Sequence, residues 1–302
     1  MKPRHGRLRA NGVRLHYIEW GPETAPPWLL LHGFTGTARQ WQPLAEAFGH
    51  GYRIIALDQR GHGLSGWAAG GAYGTGDHMG DIAALVERLG LEGPLVAGHS
   101  MGGRNALMYA ACYPEKVSRL VLVDARPGPD EASSRALESM VDKLPSHVAS
   151  LKEAAAAVRG HFPHISPAMA LHLARHRWKR LPGGGLVPRH DPALEAAARR
   201  GGFAPEDLTP LLGQIACPTL VVRGEDSDIL SPHSAQLLAR SIPGARLVEL
   251  AGAGHLVPWE QPEAFHRAVA DFVNGTFDPN IRDMSTHPVR PPPLDTGREF
   301  RQ

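Results

Sequence analysis

Two cysteines in 302 residues, Cys112 and Cys217, are too few for a disulfide framework, and neither sits in a C-x-x-C pair. A reducing compartment therefore suits the chain, and both thiols read as small core residues. No stretch approaches the roughly 18–20 consecutive apolar residues that span a bilayer. The basic residues 1–11 lack the apolar segment of a secretory signal, so the expected setting is cytoplasmic. Long blocks of one charge sign are also missing. Lys plus Arg number 32 against 30 Asp plus Glu, a formal net charge of +2, which gives no footing for a nucleic-acid or membrane partner. Repeats at solenoid or propeller periods are absent as well. What is present, 42% hydrophobic and 21% charged residues, is ordinary globular composition, and the length allows one large α/β domain or two smaller ones. The seventeen histidines invite a metal reading, but no Glu follows His172 to make H-E-x-x-H with His176, and no metal is expected.

Asn11-Gly12 between two β-prone runs (8–10 and 13–20) predicts an opening antiparallel hairpin. Short apolar runs follow at 28–31, 53–57, 95–97, 120–123, 219–222 and 246–250, a length and composition that suit strands buried on both faces. Helical spacing fills the gaps at 77–89, 105–113, 232–241 and 263–273. Strands alternating with helices imply a mostly parallel sheet wrapped by helices. Between 126 and 210 the rhythm breaks into helical patches (132–144, 148–159, 167–180, 192–200) without a strand, which predicts a helical insertion. Basic residues crowd 175–180 around Trp178, and a solvated helix face is favoured there over a site for an anionic ligand. Residues 277–302, with Pro288 and Pro291 to Pro293, read as a tail outside the core.

The chemistry concentrates in Gly98-His99-Ser100-Met101-Gly102, a G-x-S-x-G that follows a strand and precedes a helix. Two glycines permit a tight turn that lifts the serine hydroxyl above the sheet at a helix N-terminus. The plainer alternative is a Gly-rich turn with a solvated serine. His32-Gly33-Phe34-Thr35-Gly36 closes an earlier strand, so the Phe34 and Met101 amides are candidate donors to an oxyanion. His255, after the last strand, follows the serine and an acid in the order Ser, Asp, His, which suits a base that takes the serine proton. The acid is chosen from Gly224-Glu225-Asp226-Ser227-Asp228: Asp228 first, Asp226 in reserve, with Asp124 at the end of the preceding strand as a third candidate. Gly61-His62-Gly63-Leu64-Ser65-Gly66 satisfies G-x-G-x-x-G, but a Gly-rich loop rather than a helix follows, so no dinucleotide is expected.

These motifs, together with Asp58-Gln59-Arg60-Gly61-His62-Gly63, Ser65, Pro232 and Gly254-His255, resemble the α/β-hydrolase fold family, in its branch of small cap-bearing esterases and lactonases. The likeness covers roughly residues 8–274. It implies a mostly parallel twisted sheet with helices on both faces: a core of 1–125 and 211–274, a helical cap at 126–210 and a Pro-rich tail at 275–302. It further implies Ser100 as nucleophile, His255 as base, Asp228 as orienting acid, and Phe34 and Met101 as oxyanion hole. The expected activity is hydrolysis of a small-molecule carboxylic ester or lactone through an acyl-enzyme, with neither metal nor organic cofactor. A carbon–carbon hydrolase or perhydrolase with the same triad is the enzymatic alternative. A ligand receptor on a hydrolase scaffold is the alternative from another class. Ser100 stands where dehalogenases and epoxide hydrolases of this fold carry Asp, and His99 where carbon–carbon hydrolases usually carry Asn.

Overall fold

A computed structural model describes residues 1–197, 206–276 and the short strand at 282–283. Strands β1 (Arg4–Ala10) and β2 (Val13–Trp20) form the expected hairpin. Its turn places Asn11 and Gly12 at φ of 48° and 77°, the left-handed pair that a two-residue hairpin demands. Next come β3 (Pro27–Leu31), α1 (Gln42–Phe48), β4 (Arg53–Asp58), α2 (Thr75–Arg88), β5 (Leu95–His99), α3 (Met101–Cys112) and β6 (Arg119–Val123). The next segment holds α4 (Glu131–Asp142), α5 (Leu151–His161), α6 (Pro167–Arg177), a hairpin of β7 (Trp178–Arg180) and β8 (Leu186–Pro188), and α7 (Pro192–Ala197). The chain then returns through β9 (Thr219–Gly224), α8 (Pro232–Ser241), β10 (Arg246–Leu250), α9 (Val257–Glu260), α10 (Pro262–Asn274) and β11 (Arg282–Asp283).

The main sheet has the order β1-β2-β4-β3-β5-β6-β9-β10-β11, parallel from β4 through β10 and antiparallel at both ends. This is the α/β-hydrolase fold that the motifs imply. Alternate residues of each strand feed two cores. Trp28, Leu30, Ile54, Val121 and Val222 pack with α1 and α10 on one face. Leu29, Leu31, Ile55, Leu122 and Val221 pack with α2, α3 and α8 on the other. Burial on both faces is why the strands read as unbroken apolar runs. The connection after β3 leads to β4 on one side of it, while β5 pairs on the other side. Loops leaving β3 and β5 therefore diverge, and the crevice between them is where open α/β sheets place their ligands.

Three expectations need correction. Residues 178–180 and 186–188 form a hairpin, not helix and loop, because Gly184 and Gly185 at φ of 95° and 71° turn the chain back. In the basic stretch 175–180, Arg175, Lys179 and Arg180 are exposed as a solvated face would be, but Arg177 and Trp178 are buried. Cys112 is exposed, at the end of α3, whereas Cys217 is in the core. Arg282 and Asp283 of the tail pair with Glu249 and Val248 at the sheet edge. The rest of the tail, and residues 198–200 of the last helical patch, lie outside the described residues. Among the described residues no helix is long and apolar enough to cross a membrane.

Candidate active site

Ser100 sits between β5 and α3 with φ 53° and ψ −119°, a conformation that costs a non-glycine residue roughly 1–3 kcal/mol. The turn survives because its neighbours are glycines. A Cβ on Gly98 would lie 2.2 Å from the Gly102 carbonyl oxygen, and one on Gly102 would lie 2.4 Å from that of Leu31. The strain holds the Ser100 hydroxyl off the end of the sheet, 3.0 Å from His255 Nε2.

His255 is buried in the loop after β10, and His99 Nε2–H donates to its carbonyl at 2.8 Å. The His99 ring stands edge-on to Trp259 at 5.0 Å, and burial first, then the neighbouring His255, push its pKa well below 6.5. A neutral ring that donates through Nε2 leaves Nδ1 an acceptor, and that atom is buried without a partner beside Gly33. His255 Nδ1 lies 2.7 Å from Asp124 Oδ2. Asp124 is wholly buried at the end of β6, with φ 45°, and accepts from Ser227 Oγ at 2.5 Å and from the Gly224 amide at 3.4 Å. With His255 Nδ1–H donating to Asp124, Nε2 is left to accept from Ser100.

The carboxylate at His255 is thus Asp124 rather than Asp228. Asp228 is exposed, as is Asp226, whose carboxylate stands 3.5 Å from His164 at the surface. The loop after β9 instead sends in Ser227, whose hydroxyl meets Asp124 and also accepts from the Ile229 amide at 3.1 Å. Sequence order alone ranks an acid after β9 and one after β6 equally, since both precede His255. Strand pairing brings Asp124 beside the serine turn: Gly98 and His99 pair with Leu122 and Val123.

Met101 is the first residue of α3 and Phe34 lies in the loop after β3, and both line a lobe with Ser100. That loop is anchored by a buried network. His32 Nδ1–H donates to the Gly33 carbonyl at 2.8 Å while Nε2 accepts from the Gln59 amide at 3.0 Å. Gln59 is in turn held by Asn105 of α3 at 2.7 Å. Burial lowers the His32 pKa to about 4, so the ring is neutral and its tautomer fixed. The G-x-G-x-x-G segment wraps the Asp58 carboxylate. A Cβ on Gly63 would fall 2.2 Å from the Asp58 carboxyl carbon, and Asp58 accepts from His16, Ala38 and Leu64. Glu260 is a site neighbour that no motif flagged. It accepts from the Gly254 amide at 2.7 Å and so braces the loop carrying His255.

Two lobes meet at Ser100. One runs past His255 and is lined by Leu137, Val158, Phe162, Arg177 and Trp178. The other runs past Met101 and Asp124 toward Tyr73 and Arg126. Helices α4, α5 and α6 thus face the serine from above the sheet. A hydroxyl hydrogen-bonded to an imidazole, itself held by a buried carboxylate, can deliver a serine oxygen to an electrophilic carbon.

Fold and site together define a hydrolase of the doubly wound α/β class. The chain belongs to the alpha/beta hydrolase fold family, whose model matches residues 26–262. It is 32% identical over 268 residues to a 2-(acetamidomethylene)succinate hydrolase of Mesorhizobium japonicum, covering 89% of this chain and 94% of the relative. Identity to an N-formylmaleamate deformylase of Pseudomonas putida is 30%, covering 89% and 96%. A crystal structure of E-2-(acetamidomethylene)succinate hydrolase superposes with a TM-score of 0.83 at 30% identity, over 90% of this chain and all of that one.

Proposed function

We propose that the protein cleaves a carboxylic ester or lactone through an acyl-enzyme on Ser100, with His255 as general base and Asp124 as the orienting acid. The observation that carries this reading is the unbroken Ser100–His255–Asp124 hydrogen-bond chain at the N-terminus of α3. Ser100 Oγ attacks the carbonyl carbon as its proton passes to His255 Nε2, and Asp124 stabilises the imidazolium that forms. The Phe34 and Met101 amides receive the oxyanion, a donor pair of a kind worth about 3–4 kcal/mol per removed donor. Collapse expels the alcohol, protonated by His255, and water then attacks the acyl-Ser100 by the reverse sequence. The described residues of the 126–210 insertion act as a cap that closes the two lobes over this chemistry.

Cleavage of a carbon–nitrogen acyl bond is the second reading, favoured by relatives named as an acetamidomethylene-succinate hydrolase and a deformylase. The same triad serves it, the leaving nitrogen taking the proton from His255. A carbon–carbon or perhydrolytic reaction would use the same residues.

The test is a panel of short-chain esters, lactones and N-acyl compounds, run beside stoichiometric labelling by a fluorophosphonate. Labelling at Ser100 and turnover of at least one substrate, both lost in Ser100→Ala with unchanged circular dichroism, are expected. Turnover by Ser100→Ala within tenfold of the unmodified protein overturns the reading. Labelling with no turnover of any acyl substrate would instead mark a receptor on a hydrolase scaffold.

A further inference from the structure

Arg177 ends α6 at the wall of the lobe beside His255, and only 7% of its surface is exposed. Among the described residues the other buried arginines, Arg60, Arg126 and Arg223, are all engaged, as is the half-buried Arg104. Arg60 makes a two-pronged pair with Asp81 at 2.7 Å, and Arg223 binds Glu249 at 2.6 Å. Arg126 binds the Asp130 carbonyl and Ser134, while Arg104 binds the carbonyls of residues 126, 127 and 206. Arg177 has no such partner among the described residues, and its Nε is buried with no acceptor. Desolvation, unrelieved by a carboxylate, lowers its pKa to about 10, which still leaves it cationic at neutral pH.

A buried, unpaired guanidinium is costly, and replacing it by an apolar side chain would ordinarily favour the fold. Among the described residues no Asp or Glu lines its lobe, and the other walls are mostly apolar: Leu137, Val158, Phe162, Trp178. The same lobe is lined by Ser100 and His255. A planar fork of donors in an apolar wall is matched by a planar carboxylate, which accepts two parallel N–H bonds. We infer that Arg177 anchors a free carboxylate of the substrate, so that the site takes acyl compounds that are themselves carboxylic acids. This rests on the acyl-hydrolase reading for the reaction, but not for the binding.

Two matched pairs of substrates test it: monoethyl glutarate against diethyl glutarate, and O-acetylglycolate against its methyl ester. The first acid carries its carboxylate on the acyl side and the second on the alcohol side. In at least one pair the acid is expected to be preferred by about tenfold or more in kcat/KM. Arg177→Met should cut that acid's kcat/KM by roughly 10- to 100-fold, mainly through KM, the loss of one charge-assisted pair. The neutral ester should stay within about threefold, and Arg177→Lys should restore part of the loss. Arg177→Gln replaces the Met variant should that one fail to fold.

Calorimetric binding of the two acids to Ser100→Ala, with and without Arg177→Met, separates the anchor from the chemistry. Binding that disappears with Arg177→Met supports the anchor even if no ester is turned over, in which case the reaction reading alone fails. Equal use of acid and neutral ester, a preference that persists in Arg177→Met, or acid binding that is absent or indifferent to Arg177 overturns it.

Discussion

Asp124 collects the His255 ring, the Ser227 hydroxyl and the Gly224 amide on one fully buried carboxylate. Such a group cannot be exchanged for a surface acid a few ångströms away, because only it holds the tautomer in which His255 accepts from Ser100. Asp124→Asn is therefore expected to lower kcat by roughly 10⁴, while Asp228→Asn and Asp226→Asn lose less than about tenfold. Steady-state kinetics on the three variants checks this, and a crippled Asp228→Asn beside a healthy Asp124→Asn would refute it. Ser100 and His255 were legible in the sequence because glycines surround them for steric reasons that leave a motif. The acid was not. A carboxylate at a strand end has no compositional signature, and its pairing depends on which of two neighbouring loops folds inward. Arg177 was hidden for a related reason: in a run of basic residues, no periodicity distinguishes the one that turns into a cavity.

The element that defines the site is the β5–turn–α3 unit, where the sheet, the turn and the helix approach backbone to backbone. Gly98→Ala puts a methyl 2.2 Å from a backbone oxygen that cannot retreat without moving α3. Overpacking of this kind costs about 1–3 kcal/mol or more. A fall in Tm of roughly 2–12 °C is expected. Gly76→Ala is the contrast. Gly76 is exposed in the first turn of α2 with nothing near its missing Cβ, so alanine should stabilise the fold by about 0.4–1 kcal/mol. Thermal melts of both variants decide it, and a Gly98→Ala protein as stable as the parent would show that the turn relaxes. Strands and the longer core helices could be read ahead of the structure to within a few residues, since burial on both faces leaves short apolar runs and those helices keep their 3.6 period, whereas α1, only seven residues long, went unread. The β7–β8 hairpin could not. Each strand is three residues long, too short for alternation to register, and its turn glycines resemble those of any loop.

Across the whole molecule, buried histidine is the recurrent device, and it ties stability to pH. His32, His62, His78 and His99 are all but inaccessible. In each, burial is the first cause of a depressed pKa, to about 4 for His32, about 3 for His78 and well below 6.5 for His62 and His99. Their unfolded counterparts take up protons near pH 6.5, so between that value and the folded pKa the unfolded chain binds more protons than the native one. Stability is then complete above pH 6.5 and is lost as the pH falls, each such ring contributing about 1.4 kcal/mol per pH unit within its window. Asp58 adds to the acid side: burial raises its pKa, but the hydrogen bond from His16, the field of His32 and the Ala38 amide outweigh that and lower it. Its stabilisation is therefore lost as pH drops through the carboxylate range. Tm is expected to be level from pH 7 to 8 and to fall steeply from pH 6.5 toward 4. His78 offers the sharper check, since neither ring nitrogen has a hydrogen-bond partner among the described residues. A His78→Leu protein removes one titrating ring and two unsatisfied buried nitrogens. It should melt higher than the parent at pH 5, with a shallower dependence on pH, and a Tm profile identical to the parent's would show that His78 is already protonated, or hydrated, in the native state.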